Sequence, residues 1–156
     1  MYKTHYLSAI FMVILIFSGC QTSQQLKVHR NTIQELAHGG TSNMDKFDGL
    51  ATTIITVLDE ATNLSSPYKT YKYIMKFVDQ NQTEIVAITT DLESWQANMG
   101  QDEKIKFTAR SLTKPYSRKM ITLVPKVQKM LEEGGYDLGP LEKTLLLFKL
   151  KNMVKG

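Results

Sequence analysis

The chain is poor in the side chains that carry most covalent and metal chemistry. Its 156 residues include one cysteine and three histidines. A disulfide framework needs at least two cysteines, so none staples this fold. A di-iron bundle site needs two Glu-x-x-His pairs and two further glutamates. Here Glu35 and His38 form one such pair, and the other histidines, His5 and His29, complete no second one. His29 and His38 do not share a helix face as an i, i+4 pair would, so no metal centre is expected. A Gly-x-Ser-x-Gly elbow and a glycine-rich phosphate loop are both missing. No run reaches the roughly 20 apolar residues that cross a bilayer. No stretch alternates between two turn signals in the manner of a strand, so no sheet is expected.

What the chain does contain is helical periodicity. From Ser42 to Leu64, Met44, Phe47, Ala51, Ile54, Leu58 and Ala61 fall at spacings of three and four, which draws one stripe on a helix. Ser42 followed by Asp45 resembles a capping box. Ser65-Ser66-Pro67 restarts a helix, since Ser caps and Pro suits the first position. Tyr71, Ile74, Met75 and Val78 give its stripe, and Ile85, Ile88, Leu92, Trp95 and Met99 resume it beyond the polar "DQNQT" at 79–83. The spacing predicts one long helix over 67–98, with Asn81 as the place for a break. From Asp102 the stripe runs Ile105, Ala109, Leu112, Tyr116, Met120, Leu123, Val127 and Met130. Pro115 predicts a break and Pro125 a kink. Gly134-Gly135 stops this element, and Pro140 opens a last helix with Leu141, Leu145, Phe148 and Met153. A shorter helix over 26–37 ends at Gly39-Gly40. The expected fold is all-α, an up-and-down bundle of about four main helices plus a short N-terminal one.

The first twenty residues stand apart. Lys3 precedes an apolar run from Leu7 to Phe17 that only Ser8 interrupts. The run is too short to span a membrane and has the length of an export signal. Phe17-Ser18-Gly19-Cys20 then resembles the lipobox of bacterial lipoproteins, with Phe17 where Leu is usual. The resemblance implies cleavage before Cys20 and acylation of that cysteine. The chain then divides into a signal peptide (1–19), the lipidated cysteine with a polar tether (20–25) and a single helical domain (26–156). Gln21 after the cysteine, where the lipoprotein sorting pattern puts Asp for inner-membrane retention, implies an outer-membrane anchor, and the lack of an acidic cluster after Cys20 implies a domain that faces the periplasm.

Charge is uneven. Residues 21–103 hold 6 Lys/Arg against 11 Asp/Glu, and residues 104–156 hold 12 against 4. A solvated basic face is the plain reading, and contact with an anionic surface or acidic partner the sharper one. The stretch "PYKTYKYIMKF" from Pro67 mixes tyrosines with Lys69, Lys72 and Lys76. Such mixtures can hold nucleic acid, but an exported chain points elsewhere, and Tyr with Lys also suits headgroup depth. The acidic pairs Asp59-Glu60, Asp91/Glu93 and Glu132-Glu133 have no preset convergence, because neighbouring helical residues point apart.

These observations predict a lipid-anchored, non-enzymatic helical protein of the envelope. No cofactor, metal or nucleic acid is expected, and Cys20 is the one modified residue. The membrane would be reached through the N-terminal lipid, and the helical domain would bind or scaffold a protein partner. A bundle that holds a small apolar ligand or lipid is the alternative, with the bends at Pro115 and Pro125 as its opening. A carboxylate-dependent enzyme is a more remote one.

Overall fold

A computed structural model describes residues 22–137. Cys20 and the helix expected from Pro140 lie outside those residues. Every regular element described is a helix. They are α1 (residues 22–38), α2 (Asn43–Thr62), α3 (Pro67–Ala97), α4 (Gln101–Thr113) and α5 (Pro115–Glu133).

The starts and stops follow local chemistry. The Ser42 hydroxyl accepts the Asp45 amide at 3.2 Å and donates to the Asp45 carboxylate at 2.6 Å. Ser66 caps α3 through the Lys69 amide at 3.3 Å, and Pro67 takes the first turn, where its missing N–H costs nothing. The Gly100 amide donates to Glu103 at 3.2 Å, which opens α4. Lys114 is extended (ψ 146) and Pro115 restarts the helix as α5. Pro125 lies inside α5, where its ring removes one backbone hydrogen bond. Helix α1 turns into α2 through Gly40, whose φ of 65° is open to glycine without strain.

Register contacts fix how the helices run. Leu36 packs so closely on Gly49 that an added Cβ there would lie 2.7 Å from it. His29 meets Glu60 at 2.8 Å. Helix α1 is therefore antiparallel to α2. Thr70 bonds to the Ala61 carbonyl at 2.9 Å, and Lys46 reaches Asp91 at 2.7 Å, so α3 is antiparallel to α2 as well. Tyr116 meets Asp48 at 3.0 Å and Met130 meets Thr70 at 3.4 Å, which lays α5 parallel to α2. Helices α1, α2, α3 and α5 thus alternate up and down, and short α4 links α3 to α5.

The core is continuous. Phe47, Leu50, Ile54 and Leu58 of α2 join Ile74, Phe77, Ile85 and Ile88 of α3, Ile33 of α1 and Leu131 of α5, all 0–1% exposed. Burying one such side chain fully is worth about 1.5–3 kcal/mol. Helix α2 is covered on several sides, so Leu50, Ile55 and Val57 are buried besides the predicted stripe.

The structure corrects three expectations. Residues 22–25 are the first turn of α1 instead of a tether. Helix α3 is the one long helix its spacing predicts, unbroken at Asn81, but its buried face differs. Its buried face carries Thr70, Tyr73, Ile74, Phe77, Val78, Asn81, Ile85, Ile88 and Leu92, and leaves Tyr71, Met75 and Trp95 half-buried. The two polar members, Thr70 and Asn81, mask that register in the sequence. On α4, Ile105 (59% exposed), Ala109 and Leu112 (51%) face out, and Phe107 and Ser111 face in. The predicted stripe carried one phase through Lys114-Pro115, whereas the restart at Pro115 resets it.

Candidate functional site

Two polar clusters gather titratable side chains from separate helices, and both are built on α2. Near its C-terminal end, one oxygen of Glu60 accepts from His29 Nε2 at 2.8 Å and from the Tyr73 hydroxyl at 2.7 Å. The sites come from α2, α1 and α3, so this carboxylate joins three helices. His29 is 9% exposed, and its ring stands edge-on to Phe77 at 6.3 Å. Burial and the Glu60 carboxylate push the Tyr73 hydroxyl well above the usual tyrosine range. Tyr73 therefore stays protonated and donates. It is a poor nucleophile at neutral pH.

Near the N-terminal end of α2, Asp48 receives Lys114 at 2.8 Å, Arg110 at 3.1 Å and the Tyr116 hydroxyl at 3.0 Å. Burial works to raise its pKa, but the hydrogen bonds of Lys114 and Tyr116 and the charges of Lys114 and Arg110 outweigh it. Asp48 is held below the ordinary carboxylate range. Tyr116 is pushed up to about 12, first by burial, with Asp48 adding to the rise. Asp48 is thus an anion whose lone pairs are taken up by three donors, an arrangement suited to tying α4 and α5 onto α2.

The residues singled out in the sequence are placed apart. Glu35 and His38 are exposed at the end of α1. Among the described residues, no three His, Cys, Asp or Glu side chains form a group able to hold a metal ion. The acidic pairs diverge: Asp59 meets Lys119 at 3.1 Å, while Glu60 faces inward. Asp91 pairs with Lys46, and Glu133 lies 3.8 Å from Lys129. The Glu60 and Asp48 clusters went unseen, since the members of each come from three separate helices; the one signal that could have found either is His29 standing in register with Leu26, Ile33 and Leu36.

The interior near the proline break is filled with rings. Phe47 meets Phe107 at 4.8 Å and Tyr116 at 6.1 Å, and Trp95 stands edge-on to Phe107 at 5.5 Å. That packing weighs against a ligand chamber between α4 and α5. On the outside Val28, Val86 and Ile121 are exposed on separate helices, and α4 carries an apolar face of Ile105, Ala109 and Leu112 over two turns. No described helix is long and apolar enough to cross a membrane. The chain matches no family model, no curated protein and no solved structure.

Proposed function

We propose that this chain is a lipid-anchored protein of the bacterial envelope whose helical domain binds another envelope protein through α4. Cys20 carries the lipid, and Gln21 directs the anchor to the outer membrane with the domain in the periplasm. The domain works without catalysis: its two polar clusters spend their donors and acceptors on joining helices. The observation that carries the reading is the α4 face, where Ile105 and Leu112 are more than half exposed while the bundle itself is closed beneath them. Paired apolar side chains on an outward helix face suit helix-in-groove or helix-on-helix recognition. A helix face of this kind gains little from solvent and much from a complementary surface.

The test uses photo-crosslinking side chains placed at Ile105 and Leu112 in the native envelope, with Arg118 and Lys126 on α5 as exposed controls. A discrete protein adduct at the first two positions and none at the controls is expected. Adducts spread equally over all four, or absent from 105 and 112, would sink the partner reading. Intact mass of the membrane-extracted chain tests the anchor separately: residues 1–19 should be gone and Cys20 should carry acyl mass.

A further inference from the structure

The described residues begin and end at one end of the bundle. Helix α1 is in register with α2 and α3 where His29 meets Glu60 and Phe77. Residue 22 lies seven positions earlier, about 10 Å further along a helix rise. Tyr73, which shares Glu60 with His29, is five positions from Tyr68, about 8 Å. Residue 22 and Tyr68 therefore stand at one level. The C-terminal end of α5 arrives there too, since an added Cβ on Gly134 would lie 2.7 Å from the Pro67 side chain. Tyr136 stacks on Tyr71 at 4.8 Å with an interplanar angle of 17°. Its ring also lies 6.4 Å from that of Tyr68.

This end is unlike the rest of the surface. Tyr68 is 55% exposed, and Lys72 sits over its ring at 5.8 Å. Lys69 is exposed beside it. Glu132, Glu133 and Asp137 stand at the same end against Lys69 and Lys72, so its fixed charges largely offset and the three tyrosines dominate its character. Rings with an apolar body and a hydroxyl tip, flanked by lysines whose stems can lie along apolar surface, suit the boundary between headgroups and acyl chains.

We infer that the end bearing Tyr68, Tyr71, Lys69, Lys72 and Tyr136 is a bilayer-contacting surface seated at headgroup depth. The inference rests on the Cys20 anchor proposed above. Given that anchor, geometry leaves little freedom. Helix begins by residue 22, so one residue, Gln21, separates it from the lipidated cysteine. Two residue steps reach at most about 7 Å, no more than the depth of one headgroup layer, roughly 5–8 Å. The α1 start and the tyrosines level with it are thereby held against the bilayer. The sequence that follows Asp137 holds Leu141, Leu145, Phe148 and four lysines against one glutamate, a composition suited to a membrane surface. The α4 face sits at the opposite end, turned toward the periplasm.

The single tryptophan supplies a built-in control. Trp95 lies 27 positions from Tyr68 on α3, about 40 Å along the helix. The lipidated full-length mature chain would be reconstituted in phosphatidylcholine vesicles with and without a nitroxide on the headgroup. The wild-type Trp95 emission should be unchanged by the nitroxide lipid. In a Trp95→Phe background, Tyr68→Trp and, separately, Tyr136→Trp should each lose half or more of their emission. On the wild-type chain, acetylation of Lys69 and Lys72 should be at least threefold slower in vesicles than in a soluble Cys20→Ala form, and that of Lys104 and Lys106 should be equal in both. Acylated protein with unquenched indoles at 68 and 136, or with unprotected Lys69 and Lys72, overturns this inference and leaves the anchor standing. Intact mass showing bare Cys20 overturns both.

Discussion

The two ends of α2 solve one problem with different chemistry. At each end a carboxylate takes a tyrosine hydroxyl and a nitrogen donor from other helices. Asp48 is surrounded by two permanent cations, Arg110 and Lys114, together with Tyr116. Glu60 has His29 and Tyr73 and no Lys or Arg partner among the described residues. Packing differs in the same sense. Phe47 meets two further rings at the Asp48 end, while at the Glu60 end Phe77 has the imidazole of His29. The Asp48 end must hold α4, which offers only Phe107 as a buried apolar side chain. The Glu60 end holds long helices whose own stripes do most of the work. Charge is concentrated where burial is thin.

The largest effect expected from this comparison is at Phe47. Phe47→Ala removes a fully buried ring and leaves a cavity, which costs about 3–5 kcal/mol. The loss should be local at first. Native-state hydrogen exchange should rise through α4, whose buried ring Phe107 loses its closest aromatic partner, while α1 amides keep their protection. If α1 opened together with α4, the two ends would form one cooperative unit and the comparison would fail.

Asp48→Asn comes next, with a cost of about 1–2 kcal/mol. Its carboxylate is only 17% exposed, but Arg110 and Lys114 are 44% and 34% exposed, so solvent screening discounts the pairs. The effect carries a pH signature. The folded carboxyl titrates below its ordinary 3.8, and the unfolded one near that value. Its contribution is therefore complete at neutral pH and down to about pH 4, and is lost as pH falls through the folded value. Urea melts of wild type and Asp48→Asn should differ equally at pH 7 and pH 5, and the gap should narrow at about pH 2.5. A gap that stays constant in acid would deny Asp48 its role as the charged tie. Alkali does not separate the ends in this way. Tyr73 and Tyr116 both have raised pKa values, so each contributes stability below pH 10 that fades above it, Tyr116 between 10 and about 12.

How much of this was legible depended on whether one helix could be read alone. Helix α2 was, because Phe47, Ala51, Ile54, Leu58 and Ala61 lie in one register and Ser42 marks its start. The all-helical class, the junction at Lys114-Pro115 and the continuity of α3 followed from the same local signals. The α4 face was misread because Ile105, Ala109 and Leu112 form as regular a stripe as any core face does. Periodicity reports amphipathicity, and whether the apolar side meets the core or the solvent is decided by the turn that aims the helix. The Glu60 and Asp48 clusters lay further out of reach, for their members are separated by up to 68 positions.

Between the two ends lies the residue that most misled a reading by hydrophobicity. Asn81 occupies the centre of the α3 face and is fully buried. Its amide donates to the Phe77 carbonyl at 2.7 Å, and its Oδ1 has no partner. An unpaired buried acceptor costs about 1–3 kcal/mol, and the Phe77 carbonyl lies within the α3 backbone ladder, so an apolar side chain at 81 strands no partner. Leu has the branched four-atom outline of Asn, though it is larger, and restores the heptad run from Ile74 through Ile85. Asn81→Leu should therefore raise the urea midpoint by an amount worth about 1 kcal/mol, with the slope of the transition unchanged. The acid response of Asp48 should be untouched, since Asn81 bonds to Phe77 and to no member of the Asp48 cluster. A lower midpoint would mean that the buried amide holds the register of α3 against its neighbours, and the middle of the bundle would then be a third polar tie, placed between the two on α2.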